Sequence, residues 1–242
     1  MSIERAEMPV LRRSMRMTLT AAGISLLSLL LASPAAAELL VSQLIVEFKP
    51  GMPRAADVEI FNNGDQRSYA VVEPREILNP GTADEKRVAT PDPVKLGLLA
   101  SPARFILEPQ QRRTLRLAVV GAPAEHERVY RVTVKPVTGD VSGTDSGLKL
   151  LVGYDLLVLV RPPASRPSIR AERRGTQVTL TNNGNASVEL AEGKECDASG
   201  KDCHSLPSKR LYAGASWRQE LPSSSNGEYR VRSADGWSSL KF

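Results

Sequence analysis

Apolar and polar residues alternate with a period of two along most of this chain, and helical spacing is almost absent. The alternating or β-rich runs fall at 41–48, 57–61, 69–72, 114–119, 129–134 and 148–160, the pattern of strands with one face turned inward. Between them stand turn-forming groups: Pro50-Gly51, Asn62-Asn63-Gly64, Pro80-Gly81, Pro91, Pro93 and Pro109. Short strands separated by such punctuation predict an antiparallel β-sandwich. A weak internal repeat predicts two of them. Val58-Glu59-Ile60-Phe61-Asn62-Asn63-Gly64-Asp65 is echoed by Val178-Thr179-Leu180-Thr181-Asn182-Asn183-Gly184-Asn185, each a strand running into an Asn-Asn-Gly turn. Prolines 162, 163 and 167 cannot pair in a sheet interior, so residues 162–167 read as a stiff hinge between domains spanning 38–161 and 168–242.

The run 148–160 is longer than the usual strand of about five or six residues. Leu148, Leu150, Val152, Tyr154, Leu156, Val158 and Val160 share one face, all apolar or aromatic; the other face begins with Lys149, Gly153 and Asp155 and turns apolar only at Leu157 and Leu159. The strand is therefore expected to be buried on both faces in its second half and on one face in its first. An exposed apolar stripe of this kind is an aggregation hazard. It is either a docking edge, pairing its backbone with a partner sheet that lacks a strand while Leu148, Leu150 and Val152 fill the partner's core, or a central strand satisfied within its own domain.

The first 37 residues read as an export signal. Arg5, Arg12, Arg13 and Arg16 precede an apolar core over 19–32, shorter than the ~20 residues of a spanning helix, and Ala35-Ala36-Ala37 supplies small residues for cleavage after Ala37. The whole chain carries 32 basic and 27 acidic residues. Losing the signal leaves 28 and 25, a mildly basic surface with no nucleic-acid patch, and no second apolar run for stable membrane insertion.

Cys196 and Cys203 are the two cysteines, and an oxidising compartment would join them across a hairpin-like loop. A metal site using His204 lacks a fourth ligand nearby, and the C-x-x-C spacing of a redox pair is missing. His126 and His204 stand in loop-like contexts with no G-x-S-x-G elbow, and no G-x-x-x-x-G-K-[ST] nucleotide loop occurs. The sequence thus presents no catalytic residues, metal site or cofactor site.

Taken in order, Ile77-Leu78-Asn79-Pro80-Gly81-Thr82, the stretch 98–107 running into Glu108-Pro109 and 113–117, Glu127-Arg128-Val129-Tyr130-Arg131-Val132, the long strand ending in Arg161-Pro162, and Thr181-Asn182-Asn183-Gly184-Asn185 resemble the periplasmic pilus chaperones of the chaperone–usher pathway, the alternate class 5 (alpha-type) fimbrial chaperones most closely. The resemblance covers residues 39–242. It implies an all-β chain of two immunoglobulin-like sandwiches in an L-shaped arrangement, with fimbrial (pilin) subunits and an outer-membrane usher as partners. It implies that 148–160 is a donor strand, with Leu148, Leu150, Val152 and Tyr154 contacting the pilin, and that Arg161, Glu127 and Asp235 form an interdomain charge cluster. In better-known members an Arg on the first strand and a Lys on the long strand anchor the pilin's C-terminal carboxylate. Here the long-strand position is Leu157 and the first strand has no Arg. The competing reading is a secreted two-domain structural or adhesive β-protein that self-associates through the same edge.

Overall fold

The computed structural model describes residues 39–137, 151–197, 199–223 and 225–242. Residues 1–38, with the segment read as an export signal, and 138–150, with the positions Leu148 and Leu150, lie outside the described residues.

Ten strands build the N-terminal sandwich: β1 (Leu39–Val41), β2 (Ile45–Phe48), β3 (Ala55–Asn62), β4 (Ser68–Leu78), β5 (Lys86–Val88), then, after the short helix α1 (Pro93–Leu96), β6 (Leu98–Ser101), β7 (Arg104–Leu107), β8 (Arg112–Val119), β9 (Arg128–Val137) and β10 (Tyr154–Val160). One sheet runs β1-β3-β8-β6; the facing sheet runs β2-β10-β9-β4-β5, with β7 also on β4. The alternation read from sequence does its work here. Val58 and Ile60 of β3, Leu115 and Leu117 of β8, Val132 and Val134 of β9 and Leu156 and Val158 of β10 all turn inward to one core. Pro74 lies within β4, where β9 pairs on one side while β7 and β5 cover only the ends of the other. A residue without an N–H fits such a gap in the ladder.

The run 41–48 is not one strand. It breaks over residues 42–44, so that β1 pairs antiparallel with β3 in one sheet and β2 pairs parallel with β10 in the other. Each half alternates, but the inward positions pass from Leu39 and Val41 to Val46 and Phe48, a change of parity at the switch between sheets. Switching sheets lets the first segment seal the same side of both layers.

After β10 the chain crosses to the C-terminal sandwich: β11 (Ile169–Arg174), β12 (Gln177–Asn182), β13 (Val188–Cys196), β14 (Cys203–Leu206), β15 (Lys209–Leu211), β16 (Ser216–Glu220), β17 (Gly227–Ser233) and β18 (Gly236–Lys241). Its sheets run β11-β12-β16 and β14-β13-β17-β18, with β15 also on β13. Val178, Leu180, Val188, Leu190, Tyr229 and Val231 fill the space between them.

The Asn-Asn-Gly repeat has a physical job. Asn62 is fully buried; its Nδ2 donates to the carbonyls of Gln66, Leu107 and Glu108 at 2.7, 3.1 and 3.1 Å, and its Oδ1 accepts from Gly64 N. Asn182, equally buried, donates to Ala186 O and Leu211 O, both at 2.9 Å, and accepts from Gly184 N. Each asparagine satisfies backbone groups that would otherwise be buried unpaired where a strand turns over the end of its sandwich.

Candidate functional site: the donor edge and the joint between sandwiches

β10 changes environment along its length. Leu156 and Val158 belong to the main core, whereas Leu157 and Leu159 face the other way, into a small cluster with Ile77 and Val129 against which Tyr212 of the C-terminal sandwich packs. The second half of the strand is therefore buried on both faces. β9 pairs with β10 over all of 154–160, but β2 pairs only with Leu157 to Val160, beginning with the bond from Leu157 N–H to Leu44 O at 2.9 Å. Among the described residues, the backbone edge of Tyr154 to Leu156 on the β2 side has no strand beside it. Just before it, Val152 is 47% exposed. Leu151, Val152 and Gly153 are outside regular strand. Gly153 lies so close to β9 that a Cβ would stand 3.0 Å from Val134 O.

Tyr154 serves its own domain: it packs against the core, and its hydroxyl donates to Leu39 O on β1 at 2.7 Å. This bond ties the start of β10 to the far sheet. Leu44 and Ile45, on the neighbouring first segment, are large and exposed, so the open edge of β10 is bordered by apolar side chains that the sequence reading did not single out.

At the other end of β10, Arg161 is almost fully enclosed, its side chain 3% exposed. Nη1 donates to the Glu127 carboxylate, to Ser187 O at 2.8 Å and to Ser187 Oγ at 3.2 Å; Nη2 donates to Glu47 Oε1 at 3.0 Å. Glu127 in turn accepts from the Ser187 amide and hydroxyl, both at 3.2 Å. The structure therefore brings Arg161 and Glu127, both of the N-terminal sandwich, together at the joint, where Ser187 of the C-terminal sandwich meets them. Asp235 is not with them. It sits exposed in the turn between β17 and β18, its amide donating to Ser233 Oγ at 3.2 Å. The second carboxylate is Glu47 of β2, which lies beside Leu159 in the parallel pairing and so on the same face as Arg161. Sequence alone could not provide that register, because residues 47 and 161 meet only through a long-range parallel ladder.

The two glutamates respond oppositely to their surroundings. Burial pushes Glu127 above the usual carboxylate value, despite the Arg161 charge, the Ser187 bonds and the charge of Arg210. For Glu47 burial also pushes upward, but the charge and hydrogen bond of Arg161, with Arg210 and Lys49 nearby, outweigh it and hold the group below its usual value.

Between these two features, one row crosses the exposed face of the six-stranded sheet. Arg75, Arg131, Leu157 and Ile45 are cross-strand neighbours on β4, β9, β10 and β2. Leu157 is 6% exposed and Ile45 occupies the neighbouring first-strand position, so the centre of this row is apolar. The nearest cation is Arg131. It is loosely held, with Nη1 donating to Asp155 O at 3.4 Å and Nε 3.9 Å from the Asp155 carboxylate, which also takes Arg87 at 3.2 Å and the Thr133 hydroxyl at 2.9 Å.

Cys196 and Cys203 form a disulfide between directly paired residues of β13 and β14. Asp197 closes the loop by accepting from the amides of Lys201 and Asp202 and from the Ser199 hydroxyl. His204 lies exposed on β14. No group of three or more metal-ligating side chains occurs among the described residues.

Comparison with known proteins places this architecture. Residues 41–166 match the family model of pili and flagellar-assembly chaperones, PapD N-terminal domain. A protein of the CS1 fimbriae of Escherichia coli, named as one of their subunits, is 25% identical over 190 residues, 74% of this chain and 79% of that protein. The crystal structure of the class 5 fimbriae chaperone CfaA superposes with a TM-score of 0.64 at 21% identity, covering 84% of this chain and 98% of that one. A structure of a chaperone–tip adhesin complex of CFA/I fimbriae biogenesis matches with a TM-score of 0.61 at 20% identity, over 85% and 98% of the two chains.

Proposed function

The chain belongs to the pili and flagellar-assembly chaperone family, and on that premise we infer that it caps fimbrial subunits through donor-strand complementation and delivers them to an outer-membrane usher. Donor-strand complementation is a known mode of recognition in this family, and it accounts for an edge that no strand among the described residues covers. The observation that carries the reading is the unpaired side of Tyr154 to Leu156, preceded by an exposed Val152 and bordered by Leu44 and Ile45. A pilin lacking one strand pairs with this edge and extends the ladder back through 148–153. Leu148, Leu150 and Val152 share the parity of the core-facing residues of β10, so an extended 148–153 directs them into the pilin's groove as Leu156 and Val158 are directed into this domain's own core. Three such side chains, at ~1.5–3 kcal/mol each, supply about 5–9 kcal/mol before ordering costs.

The related structures include a Salmonella enterica SafA pilin in complex with the SafB chaperone, a precedent for a pilin as the occupant. With Leu157 at the long-strand position and no Arg in the first strand, Arg131, paired beside Leu157, is the cation best placed to receive a pilin's terminal carboxylate. Residues 1–37 direct export and are removed, so the work is done in the periplasm, where the Cys196–Cys203 disulfide persists.

Leu150→Arg is the direct test, because the charge would have to enter the pilin's groove. The variant is expected to fold and to lose protection of its cognate pilin against proteolysis. Undiminished protection would remove the donor role, and ordered homo-oligomers of the isolated chain would favour self-association instead.

A further inference from the structure

The two copies of the Asn-Asn-Gly turn end differently, and the difference isolates a function. Asn62 and Asn182 make equivalent bonds within their sandwiches, but the residue three positions later is an exposed Asp65 in the first copy and a 3% exposed Asn185 in the second. Nothing in the turn itself requires burial there, since the first copy closes without it. Asn185 instead faces outward from its sandwich into a three-way junction. Its Nδ2 donates to Glu125 O of the N-terminal sandwich at 2.8 Å and to Ala164 O of the connecting segment at 2.9 Å, while its Oδ1 accepts from Arg166 N at 2.8 Å. Its carbonyl accepts from Glu127 N at 2.8 Å. Both sides of one amide group are thus spent on backbone of the neighbouring domain and the connection, and none on its own strands.

The preceding residues belong to the same contact. Asn183 N donates to Ser168 O at 2.7 Å, and at Gly184 a Cβ would come within 2.4 Å of Arg166 O. Glycine is needed there so that the connecting segment can lie directly on the turn. Next along, Ser187 joins the Arg161 and Glu127 pair. Backbone acceptors and donors leave little angular freedom, because several bonds from one planar amide hold both partners to a single geometry.

We propose that Asn185 is a positioning residue that fixes the angle between the two sandwiches, and with it the shape of the cleft that takes the pilin. The part concerning the cleft rests on the chaperone reading given above; the part concerning the angle does not. Asn185→Ala removes three side-chain bonds and leaves the Arg166 amide without its partner. Asn185→Asp keeps the bond from Arg166 N–H and loses both donations, and Gly184→Ala pushes the connecting segment off the turn. Asp65→Ala, at the matching place in the first copy, is the control.

Backbone residual dipolar couplings of the whole mature chain read the orientation of each sandwich directly. In the wild type one alignment tensor is expected to describe both. In Asn185→Ala and Gly184→Ala the couplings within each sandwich should still fit, but a single shared tensor should be lost; Asp65→Ala should keep it. A shared tensor unchanged in Asn185→Ala overturns the proposal, as does an equal loss in Asp65→Ala. Should Asn185→Ala fail to fold, Asn185→Asp decides on the same criterion. The couplings are measured without a pilin, so a wild-type chain that protected no pilin would count against the chaperone reading and leave the angular role standing.

Discussion

Arg161 concentrates the electrostatics of the molecule in one side chain. Its guanidinium meets two carboxylates and the Ser187 backbone away from water, so deleting it strands Glu127 and Glu47 in a low-dielectric joint. Breaking such a pair from one side costs about 3–5 kcal/mol. Arg161→Ala should lower the midpoint of urea unfolding accordingly, and an unchanged midpoint would contradict the cluster. The pH dependence follows from the two glutamates. Glu127, raised by burial, holds its proton more tightly folded than unfolded. Its contribution to stability therefore grows as pH falls from its folded pKa toward the ordinary value of 4.5. Glu47, held low by Arg161 against the upward push of burial, contributes above 4.5 and loses that contribution as pH falls through its folded pKa. Glu127→Gln should remove the first effect and leave the second, which urea titrations at stepped pH would separate. Arg131→Ala should weaken capture of the pilin while leaving the unfolding midpoint nearly unchanged, since its bonds to Asp155 are long.

At the scale of elements, β10 is a core strand and, on the reading proposed above, a docking edge. Placing Arg at Val152 changes a residue 47% exposed in the free protein. Val152→Arg is therefore expected to leave thermal stability intact and to reduce protection of the pilin, the split that separates docking from folding. Replacing Cys203 with Ser opens the β13–β14 hairpin, a short loop whose closure stabilises by roughly 2–3 kcal/mol, with a matching drop in the urea midpoint. Most of these elements were legible in the sequence because period-two alternation is a direct record of which face meets the core, and the Asn-Asn-Gly turns mark where strands stop. What was not legible depended on register. At the break over residues 42–44 the inward positions pass from Leu39 and Val41 to Val46 and Phe48 as the chain changes sheets, and Glu47 meets Arg161 only through parallel pairing of β2 with β10. Asp235 carries the right charge but lies exposed in the β17–β18 turn, where its amide bonds to Ser233, and it makes no ion pair with Arg161. The repeat was visible as a pattern, but that its last residue turns to solvent in one copy and toward a neighbouring domain in the other required coordinates.

Across the whole molecule, the joint between sandwiches is mostly hydrogen-bonded and charged, with Tyr212 over Leu157 and Leu159 as its apolar part. Such a joint holds an orientation without a large hydrophobic interface. The central claim is that the first half of the long strand is lent to a pilin. Amide hydrogen exchange resolved over residues 148–156, with and without the purified cognate pilin, measures that loan directly. The account predicts fast exchange over 148–153 in the free protein and strong protection of alternate amides in the complex. Exchange over this segment that stays equally fast in a stable complex would contradict it.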